Sequence, residues 1–198
     1  MPRTKLYRSC VITGLVAAAA TLVAGCADAG KTHATIKEQQ YNQWNMTRVE
    51  VMYQLAKQQY EVRDYDKCMK TLQEALAFKA PFAGLHTLSA KVSIEKGALE
   101  AAQDELEKSI RINSNDPEPY YLMGVVYQRW QKPEVACGYY EQAWERKPSE
   151  PLYLLAVAEM KITTGKLDEA QKMLEAKLVY FDQTAAVRIA LAKIATLK

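Results

Sequence analysis

The chain repeats itself every 34 residues. Written in rows of that length from Val49, Ala83, Pro117 and Pro151, with a remnant from Ala185, it aligns without insertion or deletion. The eighth column reads Ala56, Ala90, Gly124, Ala158 and Ala192, and the twentieth reads Cys68, Ala102, Ala136 and Ala170. Large residues fill the twenty-fourth column (Leu72, Leu106, Tyr140, Leu174) and the twenty-eighth (Leu76, Ile110, Trp144, Leu178). The physical reason is helix pairing. Small side chains recur where two helices must approach closely, and the large ones, a turn apart, fill the space beside that contact.

The punctuation obeys the same register. Gly97 and Gly165 occupy the fifteenth column, where the first helix of a pair must turn. Pro81, Pro117, Pro119, Pro148 and Pro151 lie between repeats, and Pro133 lies at the turn before a second helix, sites where a missing N–H costs little. The pattern predicts helices at 50–62, 66–79, 84–96, 100–113, 118–130, 134–147, 152–164 and 168–181. A final helix, 185–197, offers Val187, Leu191 and Ala195 to the last pair and shows Arg188 and Lys193.

In the third copy Tyr120, Met123, Gly124, Tyr127, Ala136, Tyr140, Ala143 and Pro148 fall on the signature columns of the tetratricopeptide repeat, and the chain resembles that family over 49–184. The resemblance implies an all-α fold, a right-handed superhelical solenoid of stacked antiparallel helix pairs, with four repeats closed by a capping helix at 185–198. Single copies depart from the pattern. The second has Ser89 and Ser93 in its first helix and Ser114 in place of proline, and the fourth puts Lys177 where a small residue is usual.

The N-terminus belongs to a different kind of segment. Arg3, Lys5 and Arg8 precede an apolar run from Val11 to Ala24, too short to span a bilayer as a helix of about 20 residues but suited to a secretory signal. It ends in Val23-Ala24-Gly25-Cys26, which resembles the lipobox of bacterial lipoproteins. That resemblance implies a signal peptide over 1–25, lipidation (palmitate) of Cys26, and a tether over 26–34; two or three acyl chains anchor stably where one does not. Ala27 rather than aspartate follows the cysteine, which under the enterobacterial sorting rule implies the outer membrane, facing the periplasm. Thr35-Ile36-Lys37-Glu38 has capping-box spacing, so 35–48 is expected to be helical. Either it extends the first repeat's helix backwards or it packs as a separate cap, burying Tyr41 and Trp44. The cap is the favoured reading.

Loss of the signal changes the charge. The chain carries 26 basic and 23 acidic residues, and the signal removes three basic ones, leaving 23 of each. No global footprint for nucleic acid remains. Of four cysteines, Cys10 leaves with the signal and Cys26 takes the lipid. Cys68 and Cys137 lie two repeats apart, and stacked helices advance by about 8–10 Å each, so no internal disulfide is expected.

Chemistry is sparse. His33 lies in the tether and His86 faces a partner helix; no paired histidines for a metal, phosphate loop or nucleophile motif is present, and Asp104, Glu105 and Glu107 are expected on a solvated outer face. An enzyme, a cofactor or a small-molecule substrate is not expected. The family resemblance implies instead a concave surface lined by columns 2, 5, 9, 12 and 13 of the first helices. Carried over, the lining is Tyr53, Lys57, Tyr60 and Glu61; then Thr87, Lys91, Ile94 and Glu95; then Tyr121, Val125, Gln128 and Arg129; then Leu155, Glu159, Ile162 and Thr163. Tyrosines and aliphatics beside a few charges suit a protein or peptide partner. The carboxylate clamp of chaperone-binding members is missing, since Tyr53, Leu88 and Glu118 stand at its columns. The leading expectation is a periplasmic adaptor or scaffold. Within that class lie pilotin-type factors that help outer-membrane secretins assemble, and the alternative is structural self-assembly using Trp130, Tyr139 and Trp144.

Overall fold

A computed structural model describes residues 35–178, 180–181 and 185–198, and among these every regular element is helical. The signal, lipobox, Cys26 and tether lie outside the described residues. Helix α1 covers 35–61 and is followed by α2 (Tyr65–Leu76), α3 (Ala83–Glu95), α4 (Leu99–Ile112), α5 (Pro117–Arg129), α6 (Pro133–Arg146), α7 (Pro151–Thr163), α8 (Leu167–Leu178) and α9 (Ala185–Leu197). The chain divides into two units at Arg48 and Val49. In the first, Tyr41 and Trp44 are 63% and 58% exposed, and the Arg48 guanidinium lies 5.5 Å from the Trp44 ring centre.

The second unit, from Val49 to Lys198, is the stack. Its helix pairs close on the small columns: Ala56, Ala90, Gly124 and Ala158 are buried, as are Cys68, Ala102, Ala136 and Ala170. Against them Leu72, Leu106, Tyr140 and Leu174 are all buried. The large residues of the next column outward, Leu76, Ile110, Trp144 and Leu178, are only half-buried and pack at the junctions between copies. Each hydrophobic cluster so formed ends in the first helix of the following repeat; Leu85, Leu88 and Val92 of α3, for example, belong to the cluster of α1 and α2. Stability in such an array is a sum of repeat and neighbour terms.

One turn geometry recurs in every copy. Column 15 holds Arg63, Gly97, Gln131 and Gly165, with φ of 61°, 76°, 58° and 76°. Behind each, the next N–H reaches back five residues: Asp64 to Gln59, Ala98 to Ser93, Lys132 to Tyr127 and Lys166 to Lys161, at 2.8–3.0 Å. The column-15 N–H itself donates to the carbonyl three residues earlier. This is the Schellman arrangement, which satisfies carbonyls the helix leaves orphaned and requires one left-handed residue. Proline completes the punctuation from the other side. Pro117, Pro133 and Pro151 each begin a helix, where the absent N–H would have had no partner.

At the C-terminus α9 packs on α7 and α8 through Val187 and Ile194, both fully buried, with Leu191 half-buried. The expectation for Ala195 is corrected, since it is exposed and Ile194 takes its place. Ala192, in the small column of the fifth row, is exposed.

Two sets of substitutions check this packing. A Cβ on Gly124 would lie 2.8 Å from Tyr140 Cζ and closer to two other ring carbons, whereas one on Gly138 meets nothing within 4 Å. Gly124→Ala should therefore cost about 1–3 kcal/mol and Gly124→Leu more than about 2 kcal/mol. Gly138→Ala, in the interior of α6, should gain about 0.5–1 kcal/mol, all three read from urea midpoints. At the turns the signs reverse: Gln131→Gly should raise thermal stability, and Gly97→Ala should lower it by about 1 kcal/mol.

Candidate partner-binding groove

Columns 2, 5, 9 and 12 are separated by three or four residues and so share one face of each first helix. Within the stack this face presents a strip that the helix pairing leaves partly open. Lys57, Gln128, Arg129 and Glu159 are exposed; Tyr53, Tyr60, Lys91, Tyr121, Val125, Leu155 and Ile162 are half-buried. Of the outer column, Glu61, Glu95 and Thr163 are exposed.

Two of the expected lining residues are not on this surface. Ile94 is 4% exposed and belongs to the core cluster with Ala90, Leu106 and Val126. Thr87 is also buried: its hydroxyl pairs with Ser109 Oγ at 2.8 Å and donates to the Ala83 carbonyl at 3.3 Å. Both belong to the second copy, where Ser109 of α4 takes the Thr87 hydroxyl and the apolar residues of α4 and α5 cover Ile94. A partner cannot reach either residue without opening that repeat.

Others are on the strip but already have structural work. Arg129 Nη1 donates to the Ile94 carbonyl at 2.5 Å, closing the C-terminal end of α3. Gln128 Oε1 accepts from the Tyr140 hydroxyl at 2.7 Å, and Lys91 forms an ion pair with Glu118. Tyr53 packs edge-on against Phe82, with ring centres 5.1 Å apart, and Tyr121 lies 5.4 Å from both Tyr140 and Tyr153. Burial, followed by nearby carboxylates, pushes the phenols of Tyr53 and Tyr60 upward, and Tyr153 is raised to about 12. These hydroxyls are therefore donors across the physiological range.

The strip changes character along the stack. Around the first two copies it carries tyrosine hydroxyls and charges. Toward the C-terminus it turns aliphatic, with Val125, Leu155 and Ile162. A cavity of about 250 Å³ opens between α7 and α9, lined by Leu155, Glu159, Ile162, Ala186, Ile189, Ala190 and Lys193. The α9 contribution was legible: Ala186, Ile189 and Lys193 occupy columns 2, 5 and 9 of the fifth-row remnant. Reading that helix only as a cap hid it.

Away from the strip, the acidic run of α4 is not uniformly solvated. Glu105 Oε2 lies 2.7 Å from His86 Nδ1, with both side chains more than four-fifths buried, and Lys108 pairs with the other carboxylate oxygen at 2.6 Å. The expectation for Glu105 is thus corrected; its helix turns it toward α3. Trp144 likewise packs between the third and fourth copies rather than offering an outer face. Tyr127, Tyr139 and Trp130 form a half-buried aromatic group, with Tyr127 and Tyr139 stacked at 5.2 Å. Among the described residues no group of histidine, cysteine and carboxylate side chains is placed to hold a metal, and no helix is long and apolar enough to cross a membrane. Cys68 and Cys137 are free, and burial raises both thiols.

The comparisons agree with this architecture. A TPR repeat model matches residues 90–130 and a tetratricopeptide repeat model matches 117–150. No curated protein matches the sequence. Among solved structures the chain is similar to PilF of Pseudomonas aeruginosa, with a TM-score of 0.68, 16% identity, and 76% of this chain and 68% of that one covered. It is similar to a thermophilic TPR protein of Thermus thermophilus, with a TM-score of 0.63, 21% identity, and coverage of 75% and 81%. YrrB, described as a TPR protein with an unusual peptide-binding site, gives a TM-score of 0.60, 18% identity, and coverage of 74% and 75%. At such identities the likeness is one of fold.

The His86–Glu105 contact predicts an acid limb. The Glu105 carboxyl is held below the usual glutamate range, chiefly by the His86 hydrogen bond and then by Lys108, against burial that acts the other way. A carboxyl lowered in the folded state adds stability above its unfolded value of about 4.3, and that stability is lost as pH falls through the folded value. Glu105→Gln should therefore narrow its deficit relative to the parent as urea midpoints are taken from pH 6 toward pH 3.

Proposed function

We propose that this chain, whose residues 90–150 match tetratricopeptide repeat models and whose stack has that family's fold, is a lipid-anchored adaptor of a bacterial envelope that binds a segment of a partner protein along its concave strip. The observation that carries the reading is the strip itself. Its tyrosines, aliphatics and isolated charges are held in place by the stack and left open on one side, the composition of a surface where a few aromatic and aliphatic anchors carry the affinity. YrrB, of similar fold, is described as having a peptide-binding site, which supports the same use of this one. The envelope location rests on the basic start, the apolar run and Val23-Ala24-Gly25-Cys26. A periplasmic, outer-membrane setting follows from Ala27 under the enterobacterial rule.

Each half of the proposal has its own test. Cells fed an alkyne-bearing fatty acid should label the parent chain, and Cys26→Ser should abolish both the label and membrane fractionation; a labelled Cys26→Ser chain would remove the anchor. For the strip, crosslinking in intact envelopes should recover a partner that Lys57→Glu, at an exposed position, depletes by about tenfold, as expected for losing one favourable charge contact and gaining a repulsive one. Equal recovery by parent and variant, with both equally folded, would place the partner elsewhere.

A further inference from the structure

We infer that the cavity between α7 and α9 is the anchor point of the groove, taking one large aliphatic side chain of a partner peptide that carries a basic residue on one flank and an acidic residue on the other. This rests on the adaptor reading and specifies what the strip selects.

Three observations carry it. The floor is aliphatic from both helices, with Leu155 and Ile162 from α7 and Ala186 and Ile189 from α9; Ile189 is 67% exposed although it faces the cavity. An isolated exposed isoleucine would need no explanation, but one grouped with other aliphatics around a concavity marks a contact surface. Second, the size is telling. At about 250 Å³ the cavity falls below the range of about 300–1,000 Å³ usual for independent small-molecule sites, and suits a side chain delivered by a longer segment.

Third, the walls are oppositely charged. Glu159 stands on the α7 wall and Lys193 on the α9 wall, and neither forms an ion pair among the described residues, although both line one cavity. Neighbouring charges outside the groove are paired: Lys161 with Glu141 and Glu169, and Lys198 with Asp168. A peptide lying across the cavity meets a negative wall and then a positive one, so complementarity fixes its direction as well as its composition.

The test is a selection of random dodecapeptides displayed on phage against the immobilised full chain in detergent. The parent should enrich Leu, Ile or Met flanked by Lys or Arg on one side and Asp or Glu on the other. Reversing the walls with Glu159→Lys and Lys193→Glu, both exposed positions with no packing to lose, should keep the aliphatic residue and invert the order of the flanking charges. Ile162→Asp should weaken binding of a selected peptide by about tenfold or more. Enriched peptides without an aliphatic anchor, or a charge order unmoved by wall reversal, would overturn the anchor. If such peptides are still lost with Lys57→Glu, the groove survives and only the anchor falls. No enriched peptide on any version overturns both.

Discussion

The stack depends on close approach between two helices at one small residue per helix. Gly124 shows how strict that approach is. The Tyr140 ring occupies the space a methyl group would need, and its hydroxyl then reaches Gln128 one turn further along α5. In the other copies alanine and leucine stand at the same columns, and all of them are buried. Once the pair distance is fixed, the next large residue must point toward the following copy. The half-burial of Leu76, Ile110, Trp144 and Leu178 is what welds one repeat to the next.

That constraint is why the fold could be read without coordinates. Columns 8, 20 and 24 are defined by steric size, which the sequence states directly, and their burial follows the prediction copy by copy. The turns were half-legible. Glycine marked column 15 in two copies, while Arg63 and Gln131 adopt the same left-handed conformation without any outward sign. Their neighbours' hydrogen bonds impose it, and hydrogen-bond demand is a property of position in the repeat more than of residue type.

The groove was less legible, for a physical reason. Column numbers give the direction in which a side chain leaves the helix, but what it then meets depends on the neighbouring copies. Ile94 and Thr87 leave α3 in the expected sense and are covered, Thr87 by Ser109 of α4 and Ile94 by apolar residues of α4 and α5. Arg129 is drawn to the Ile94 carbonyl at the end of α3 before it reaches any ligand. Glu105 gave no hint of its pairing with His86, since the two lie nineteen positions apart and no periodicity connects columns 4 and 23.

The position of α9 has a mechanical consequence. Helix α9 buries only Val187 and Ile194, against α7 and α8, whereas α7 buries Tyr153, Leu154, Val157, Ala158 and Met160. In a stack whose cohesion is nearest-neighbour, a helix held by so few buried side chains detaches at a lower free-energy cost than the helices beside it, without loosening the repeats upstream. Yet this same helix forms one wall of the aliphatic cavity. Occupancy and fraying are then opposed: whatever fills the cleft clamps the terminal helix, and local melting empties it. The grip on a partner would thus weaken with temperature well before the array as a whole comes apart.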